Sequence, residues 1–377
     1  MSSTKAYNYP GPLPPPKQPD YWALDTWSDQ FDPAIHLQIE PPKSIKDLDF
    51  KDVRFPFSPK EKMKKGGLAY TRSFRVLSEE GVRAARRAVD NARERYPQGE
   101  VKYPIGRGNK RATHFVRGLG YTSKFVRDIT YDRTLTDLLS DLAREELWPH
   151  SMTMSVGHTN VGQPATGKPV DKWHVDSVSY VLVIVISDIK DMKGGNLTVF
   201  QHPDSGGTYW KKLQIQGVPP ELVETVSYTA PGYAILMQGS KILHAVTPVL
   251  KAREPRYSLV NSYMSTDVFL RDPTKYHTFL EKGFDDRTDV VPLEFARHKA
   301  WRIKGQMAYI LDEAPFGSKP EDLAKVFTDA GAELCKTAAL LLGKEEDSAG
   351  HVDDEEEEAA SGKVKVKRNA VILNSRM

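Results

Sequence analysis

The pattern of apolar and polar residues changes near Pro149, from a helical period before it to strand-like alternation after it. Residues 78–95 begin with a serine and two acids, which suit the positive end of a helix dipole, and a Pro-Gln-Gly sequence follows them. Residues 134–147 carry leucines at spacings of three and four, which form one buried stripe on a helix. The pattern therefore predicts two helices before Pro149, and it predicts a closing helix over residues 321–342.

After Pro149, short runs alternate in polarity and are rich in β-branched residues, as strands are. Turns such as Gly194-Gly195 and Pro231-Gly232 separate these runs. Several short strands with helices only at the ends predict an α+β fold, with a double-stranded β-helix (jelly-roll) core and flanking helices. We predict strands over residues 151–156, 180–187, 196–201, 223–228, 233–238 and 257–264.

Shifts of composition along the chain predict five regions. They are a Pro-rich N-terminal extension (1–43), a helical support region (44–149), the jelly-roll catalytic core (150–270), a C-terminal helical region (271–343) and a charged tail (344–377). The tail joins an acidic run at 353–358 to basic residues at 363–368, so we predict that it is disordered.

Composition limits the partners and the location of the protein. The 53 basic and 50 acidic residues give a formal net charge of +3, without the excess expected of a nucleic-acid binder. No run reaches the roughly 18–20 apolar residues that span a bilayer, the N-terminus lacks a secretory signal pattern, and the single Cys335 can form no internal disulfide. We predict an intracellular protein without nucleic acid or a membrane span, either peroxisomal, through the address-like Ser375-Arg376-Met377, or cytoplasmic.

The candidate chemistry centres on His174 and Asp176, which stand two positions apart at the end of a strand-like run. On a strand, residues i and i+2 lie on the same side, so both side chains can reach one metal ion. His244 follows His174 by 70 positions (244 − 174), after several hairpins, and can supply a third ligand. Two imidazoles and one carboxylate leave positions open on a redox-active ion such as Fe(II). Each histidine alone is more often an ordinary surface or core residue, and only the set favours a metal site.

A candidate anion-binding pair follows the third ligand. Arg256 lies 12 positions (256 − 244) after His244, and Ser258 stands at i+2 from it. A guanidinium can hold a carboxylate through two parallel hydrogen bonds, to which a serine hydroxyl can add a third. Arg253 is the competing candidate, but Arg253-Glu254-Pro255 is typical of a turn, so we prefer Arg256.

This ordered set, H-x-D, a distant H and then R-x-S, resembles the Fe(II)/2-oxoglutarate-dependent dioxygenase superfamily over residues 151–266, and Gly194-Gly195-Asn196-Leu197 looks like its turn between the two metal-ligand regions. The resemblance implies Fe(II) on His174, Asp176 and His244, 2-oxoglutarate on Arg256 and Ser258, and O2 as the second co-substrate. It implies hydroxylation, desaturation or cyclisation of a small organic substrate, with release of succinate and CO2. The subfamily is not resolved.

Residues around the motif are candidates for substrate contact. His158 and Asn160 lie in a Gly/Pro-rich stretch, residues 157–169, where we expect a lid. Trp173 and Tyr180 can line the substrate pocket, although aromatic residues on strands more often belong to the core. We interpret His202 as structural. The residues that can meet an anionic substrate, or lie as solvated surface charges, are His114, Arg117 and Arg127.

Two other classes of protein fit part of the pattern. A hydrolase can hold zinc in the same site and activate water there, but Arg256 and Ser258 then have no role. A non-catalytic jelly-roll binding module keeps the pocket without turnover. A charge-transfer band with anaerobic Fe(II) and 2-oxoglutarate separates the oxygenase from the zinc protein, and succinate formation excludes the module.

Overall fold

The computed structural model describes residues 29–50, 67–95, 100–102, 113–203, 213, 217–281 and 290–347, with the side chains of residues 95, 100–102 and 281 excepted. The proline run of the N-terminal extension and nearly all of the charged tail lie outside these ranges. The tripeptide Ser375-Arg376-Met377 does so too, and the five-region division and the location remain predictions. No helix among the described residues combines the length and the apolar character needed to cross a bilayer.

Helices precede and follow the sheets of the structure. The predicted helix over residues 78–95 is confirmed as α2, and the predicted helix over 134–147 forms but ends earlier, because Arg144 adopts the left-handed conformation at its C-cap. The helices are α1 (Pro33–His36), α2 (Glu79–Arg95), α3 (Leu119–Thr122), α4 (Lys124–Tyr131), α5 (Arg133–Ala143), α6 (Tyr276–Glu281), α7 (Val290–Asp312) and α8 (Pro320–Leu341).

The strands form antiparallel pairs throughout the described ranges. They are β1 (Ile45–Leu48), β2 (Gly67–Thr71), β3 (Phe74–Arg75), β4 (Glu100–Lys102), β5 (Thr113–Val116), β6 (Leu147–Pro149), β7 (His158–Gly162), β8 (Asp171–His174), β9 (Tyr180–Val185), β10 (Lys193–Gly194), β11 (Leu197–Phe200), β12 (Val223–Val226), β13 (Tyr233–Met237), β14 (His244–Val246), β15 (Val249–Lys251) and β16 (Arg256–Ser265).

Two of the sheets pack face to face. The larger has the order β1-β2-β13-β9-β16-β7-β5-β4, with β3 on β13 and β6 on β16, and the smaller has the order β12-β11-β14-β8. One apolar cluster takes side chains from both, since Val181, Ile235 and Val260 of the large sheet pack with Leu197 and Val199 of the small one. The expected mixture of helices with antiparallel sheets is confirmed.

The strand predicted over residues 151–156 is wrong. Thr153–Ser155 forms a single 3-10 turn, because the backbone N–H groups of Thr153 and Met154 donate to the buried carboxylate of Glu294 instead of to a neighbouring strand. The lid expected over residues 157–169 is also wrong in its first part. His158–Gly162 is β7, which pairs with β16 on one side and with β5 on the other.

The bounds of the long helix α7 were not predicted, although it lies within the predicted C-terminal helical region (271–343). Its buried face includes several polar residues, with Glu294, His298, Lys299 and Arg302 all 8% exposed or less. His298, Lys299 and Arg302 surround the buried carboxylate of Asp272, which lies in the segment before α6. Because buried charges replace the apolar positions, the hydrophobic period that marks an amphipathic helix is missing.

Candidate metal centre

The three predicted metal ligands meet in the small sheet. His174 ends β8 and His244 begins β14, and these strands pair with His174 directly opposite His244. The two imidazole centroids lie 4.3 Å apart. Asp176 follows two residues after His174, and its N–H donates to the carbonyl of Gly239 (2.9 Å), which fixes the backbone beside the two rings.

The ligand atoms converge on one point. One carboxylate oxygen of Asp176 lies 3.4 Å from Nε2 of His174, and the other lies 3.7 Å from Nε2 of His244. Among the described residues, these three side chains form the group whose ligand atoms all lie within 4.8 Å of one another. Such spacing leaves room for one ion, since metal–nitrogen and metal–oxygen bonds of about 2 Å span it.

Both histidines have their tautomer fixed by the backbone. Nδ1 of His174 lies 2.7 Å from the carbonyl oxygen of Lys172, and Nδ1 of His244 lies 2.9 Å from that of Ile242. A carbonyl oxygen only accepts, so each Nδ1 carries the proton and each Nε2 turns a lone pair toward the centre. In each case the acceptor stands two residues before the histidine, so the local strand orients its own ligand.

The charges around the centre favour a cation. Burial alone would lower the pKa of His174, but the carboxylates of Asp171 and Asp176 outweigh it and raise that pKa. Burial lowers the pKa of His244, and the neighbouring His174 adds to the effect. Asp171 was not predicted; its carboxylate lies 3.8 Å from Nε2 of His174 and also lines the cavity. Two carboxylates near two imidazoles provide the negative charge that a divalent ion would neutralise.

Gly239 leaves the space that the Asp176 carboxylate occupies. A Cβ at residue 239 would stand 1.9 Å from one carboxylate oxygen of Asp176, closer than any real contact. Any larger residue would therefore displace the carboxylate from the two imidazoles. Nothing in the sequence indicates this role, since Gly239 lies in a Gln-Gly-Ser sequence typical of an ordinary turn.

Arg256 is a buried cation in the same cavity. Its side chain is 2% exposed at the start of β16, its Nη1 donates to the hydroxyl of Ser258 (2.8 Å), and its guanidinium lies over the ring of Tyr228 (5.2 Å). Within the described ranges its Nε has no hydrogen-bond partner. Burial lowers the pKa of Arg256, and the Tyr228 hydroxyl offsets part of that effect. No carboxylate of the described part of the chain pairs with this guanidinium, and an anionic ligand would supply the counter-charge.

The rival arginine lies elsewhere. Arg253 is about half exposed and forms ion pairs with Asp188 and Asp191 on the surface, so it is already satisfied. The Gly194-Gly195 turn, which looks like the superfamily's turn between the two metal-ligand regions, packs against Arg256. Gly194 and Gly195 both have positive φ, and a Cβ at Gly195 would meet the Arg256 side chain at 3.0 Å.

A cavity joins the metal ligands to Arg256. It has a volume of about 110 Å³ and lies between the inner faces of the two sheets. Its wall contains the predicted residues His158, Asn160, His174, Asp176, His244, Arg256 and Ser258, and also Phe115, Arg117, Met154, Asp171, Tyr228 and Phe279.

Two of the predicted substrate contacts lie outside this wall. Trp173 packs against Phe200, Leu213 and Leu243, because alternation along β8 turns it away from its neighbour His174. Tyr180 is 2% exposed in the main core, where its hydroxyl donates to Glu145. We correct both predictions, since a substrate in the cavity does not reach these side chains.

Arg117 lies in the cavity wall. It is 8% exposed and lies over the ring of Phe115 (4.8 Å), so it is not a solvated surface charge, which was one of the two alternatives. His158 and Asn160 contact each other on the same wall, with Nε2 of His158 2.6 Å from the Asn160 side-chain oxygen. His114, Arg127 and His202 do not belong to the wall.

Comparisons with known proteins give distant similarity. No family model and no curated protein matches the chain. The solved structures similar to it include AviO1 from Streptomyces viridochromogenes Tue57 (15% identity, 53% of this chain and 90% of that one, TM-score 0.40). They also include the non-heme alpha ketoglutarate dependent carbocyclase SnoK from nogalamycin biosynthesis (16%, 58% and 88%, 0.42). HygX from Streptomyces hygroscopicus, crystallised with nickel, 2-oxoglutarate and hygromycin B, is a third (13%, 48% and 79%, 0.34).

At TM-scores of 0.42 and lower, these likenesses carry no argument about the reaction of this chain. The His–Asp–His cluster confirms the motif on which the superfamily resemblance rests.

Proposed function

We propose that this protein is an Fe(II)- and 2-oxoglutarate-dependent oxygenase that oxidises a small organic substrate in a jelly-roll core. One observation carries the proposal. A two-histidine, one-carboxylate cluster shares its cavity with the buried guanidinium of Arg256, which lacks a counter-charge among the described residues. A metal ion and a dicarboxylate together satisfy both features.

The donor set fits iron. Nε2 of His174, Nε2 of His244 and a carboxylate oxygen of Asp176 offer three ligands on one side, which leaves three positions for a chelating co-substrate and O2. Bound Fe(II) supplies the oxidising chemistry when 2-oxoglutarate and O2 bind with it, and succinate and CO2 leave. The three side chains would hold the ion and position it in the cavity.

Arg256 orients the co-substrate. Its guanidinium can bind the far carboxylate of 2-oxoglutarate through two hydrogen bonds. Ser258 accepts a hydrogen bond from Nη1 of Arg256, so its own hydroxyl proton stays available to donate to the same carboxylate. The ring of Tyr228 shields the guanidinium from water, and a low local polarity strengthens the ion pair.

The substrate occupies the remaining wall of the cavity. His158 and Asn160 offer hydrogen bonds there, and Phe115 and Phe279 offer apolar contact. Arg117 on this wall gives a substrate with an anionic group a partner of opposite charge. Hydroxylation, desaturation and cyclisation are all compatible with this wall.

The zinc hydrolase fits less well. Zinc can bind the same three ligands, but the buried Arg256 and Ser258 then lack a function. The non-catalytic module leaves the fixed tautomers of His174 and His244 unexplained, since a pocket that binds no metal does not require them.

The test is succinate release from 2-oxoglutarate by the Fe(II)-loaded protein under air, with a metabolite extract as the substrate pool. We expect succinate above that of a His174→Ala control, and the consumed metabolite is identified by its mass. Anaerobic Fe(II) and 2-oxoglutarate should also give a visible charge-transfer band. A protein that binds neither iron nor 2-oxoglutarate would overturn the proposal.

A further inference from the structure

Exposed apolar side chains concentrate on the last two helices. Ten large apolar side chains are exposed among the described residues, and six of them lie on α7, α8, their connection and the C-cap of α8. These six are Leu293, Leu311, Phe316, Phe327, Leu334 and Leu342. A concentration of this kind marks an interaction surface more often than scattered single residues do.

Helix α8 has two apolar faces. One face is buried and contains Val326, Ala330 and Leu340. The other is exposed, and its apolar residues recur at spacings of three and four, as in the seam of a coiled coil. We call this set the α8 stripe, and it consists of Ala324, Phe327, Gly331, Leu334, Ala338 and Leu342.

Small and large residues alternate along the α8 stripe. If a second α8 lies antiparallel, each large side chain meets a small one. Phe327 then faces Ala338 of the other copy, Leu334 faces Gly331, and Leu342 faces Ala324. A parallel arrangement places like against like, with crowding at one level and a void at the next, and both defects are destabilising. The stripe is therefore complementary to itself in the antiparallel direction.

Gly331 supports this arrangement independently. It lies inside a helix, where glycine costs about 0.5–1 kcal/mol relative to alanine. A Cβ at this position would meet nothing within 4 Å, so no contact among the described residues requires a glycine. A glycine on an apolar stripe lets a second helix approach closely, and the antiparallel pairing places the partner's Leu334 there.

The charges of α8 also favour the antiparallel direction. Lys325 pairs with Asp329 along the helix, and Lys299 of α7 pairs with Glu333. The acids Glu321 and Asp322 lie in the first turn, and the last turn has no basic residue. Parallel helices would bring these acids of the two copies together, whereas antiparallel helices separate them and place opposite ends of the two helix dipoles side by side.

We propose that a second copy of this chain covers the α8 stripe, so that the protein is a dimer with two α8 helices packed antiparallel about a two-fold axis. The interface is isologous, so every contact occurs twice. It lies on the C-terminal helices and uses no residue of the metal centre.

The test is sedimentation velocity of the full chain over a wide concentration range. We expect a dimer for the natural sequence and a monomer for Leu334→Asp. Each aspartate should lower the dimer affinity roughly 30-fold, and the two-fold dimer contains two of them, so the dissociation constant should rise about 1000-fold. Ala332→Asp is the matched control, because Ala332 is exposed on the same helix outside the stripe. It should stay dimeric.

Mixing two variants tests the pairing itself. Phe327→Ala leaves voids in its own dimer, and Ala338→Phe crowds its own dimer, so each alone should be mainly monomeric. In the mixture, residue 327 of one variant faces residue 338 of the other, and each of these two contacts again pairs one phenylalanine with one alanine. A heterodimer should therefore form.

Gly331→Ala distinguishes an effect on helix stability from an effect on the dimer interface. In the monomeric Leu334→Asp background it should raise the melting temperature, because alanine favours the helix and the added methyl has open space. In the natural background it should weaken the dimer.

Three outcomes would overturn the proposal. They are a natural sequence that stays monomeric at every concentration, a dimer that survives Leu334→Asp, and a mixture that forms no heterodimer. A monomeric natural chain would indicate that another segment of the same chain covers the stripe.

Discussion

The substitution Arg256→Gln tests whether Arg256 binds the co-substrate or only stabilises the fold. The guanidinium is 2% exposed and lacks a carboxylate partner among the described residues, and its contacts are the hydroxyl of Ser258 and the ring and hydroxyl of Tyr228. Glutamine removes that buried charge and leaves a polar group of similar reach. We therefore expect the protein free of 2-oxoglutarate to keep its stability within about 1 kcal/mol, or to gain some, because an uncompensated buried charge is itself destabilising.

The binding of 2-oxoglutarate should respond strongly. A hydrogen bond between charged groups contributes about 1.5–3 kcal/mol, and Arg256 offers two such bonds in a site shielded from water. Their loss costs about 3 kcal/mol or more, which is at least ~150-fold in the dissociation constant. The affinity for the metal should change little, since Arg256 is not one of the three ligands.

The assay is anaerobic calorimetric titration of 2-oxoglutarate into the Mn(II)-loaded protein, with a separate Mn(II) titration and urea unfolding of the metal-free protein. Arg253→Gln is the control, because Arg253 is half exposed with two surface ion pairs, and it should bind 2-oxoglutarate as the natural sequence does. The reasoning is refuted if Arg256→Gln binds 2-oxoglutarate normally, or if Arg253→Gln shows the larger loss.

Two more predictions concern residues behind the site. Gly239→Ala should weaken Mn(II) binding at least ~10-fold although no ligand changes, because its Cβ would displace the Asp176 carboxylate, whereas Ser240→Ala should bind normally; equal affinities in a Mn(II) titration would contradict this. Burial raises the pKa of Glu294 from 4.5 to about 7, so its contribution to stability is complete below about pH 4.5 and is lost as pH rises through 7, by about 3 kcal/mol. Urea unfolding should show this loss relative to Glu294→Gln, and parallel pH profiles would refute it.

The metal centre was predictable because its residues act through local geometry. His174 and Asp176 stand two positions apart, and each histidine takes its orienting carbonyl from the residue two before it, so short sequence motifs contain most of what positions them. Arg256 and Ser258 follow the same two-residue rule. The sequence could not indicate Gly239, since its role depends on the distance between two segments that only the fold brings together.

Two of the errors concern polar groups that are buried. The turn Thr153–Ser155 has the alternation of a strand, but its backbone bonds to Glu294 on a helix that is 141 residues distant from Thr153. The bounds of that helix, α7, were missed for the same reason, because its inner face carries charges paired with Asp272. A prediction that places apolar residues inside and polar residues outside fails where buried charged groups pair with one another.

This failure also explains why the substrate is harder to predict than the metal. The cavity wall combines Phe115 and Arg117 at the end of β5, Met154 of the turn held by Glu294, and Phe279 of α6. Each comes from a different segment, and two of these segments are positioned by the buried charges that the pattern misses. Variation at the positions of Glu294 and Asp272 would therefore change the shape of the cavity while the metal motif stays intact. In the proposed function the motif sets the class of reaction, and the helices behind the sheets shape the space that a substrate enters.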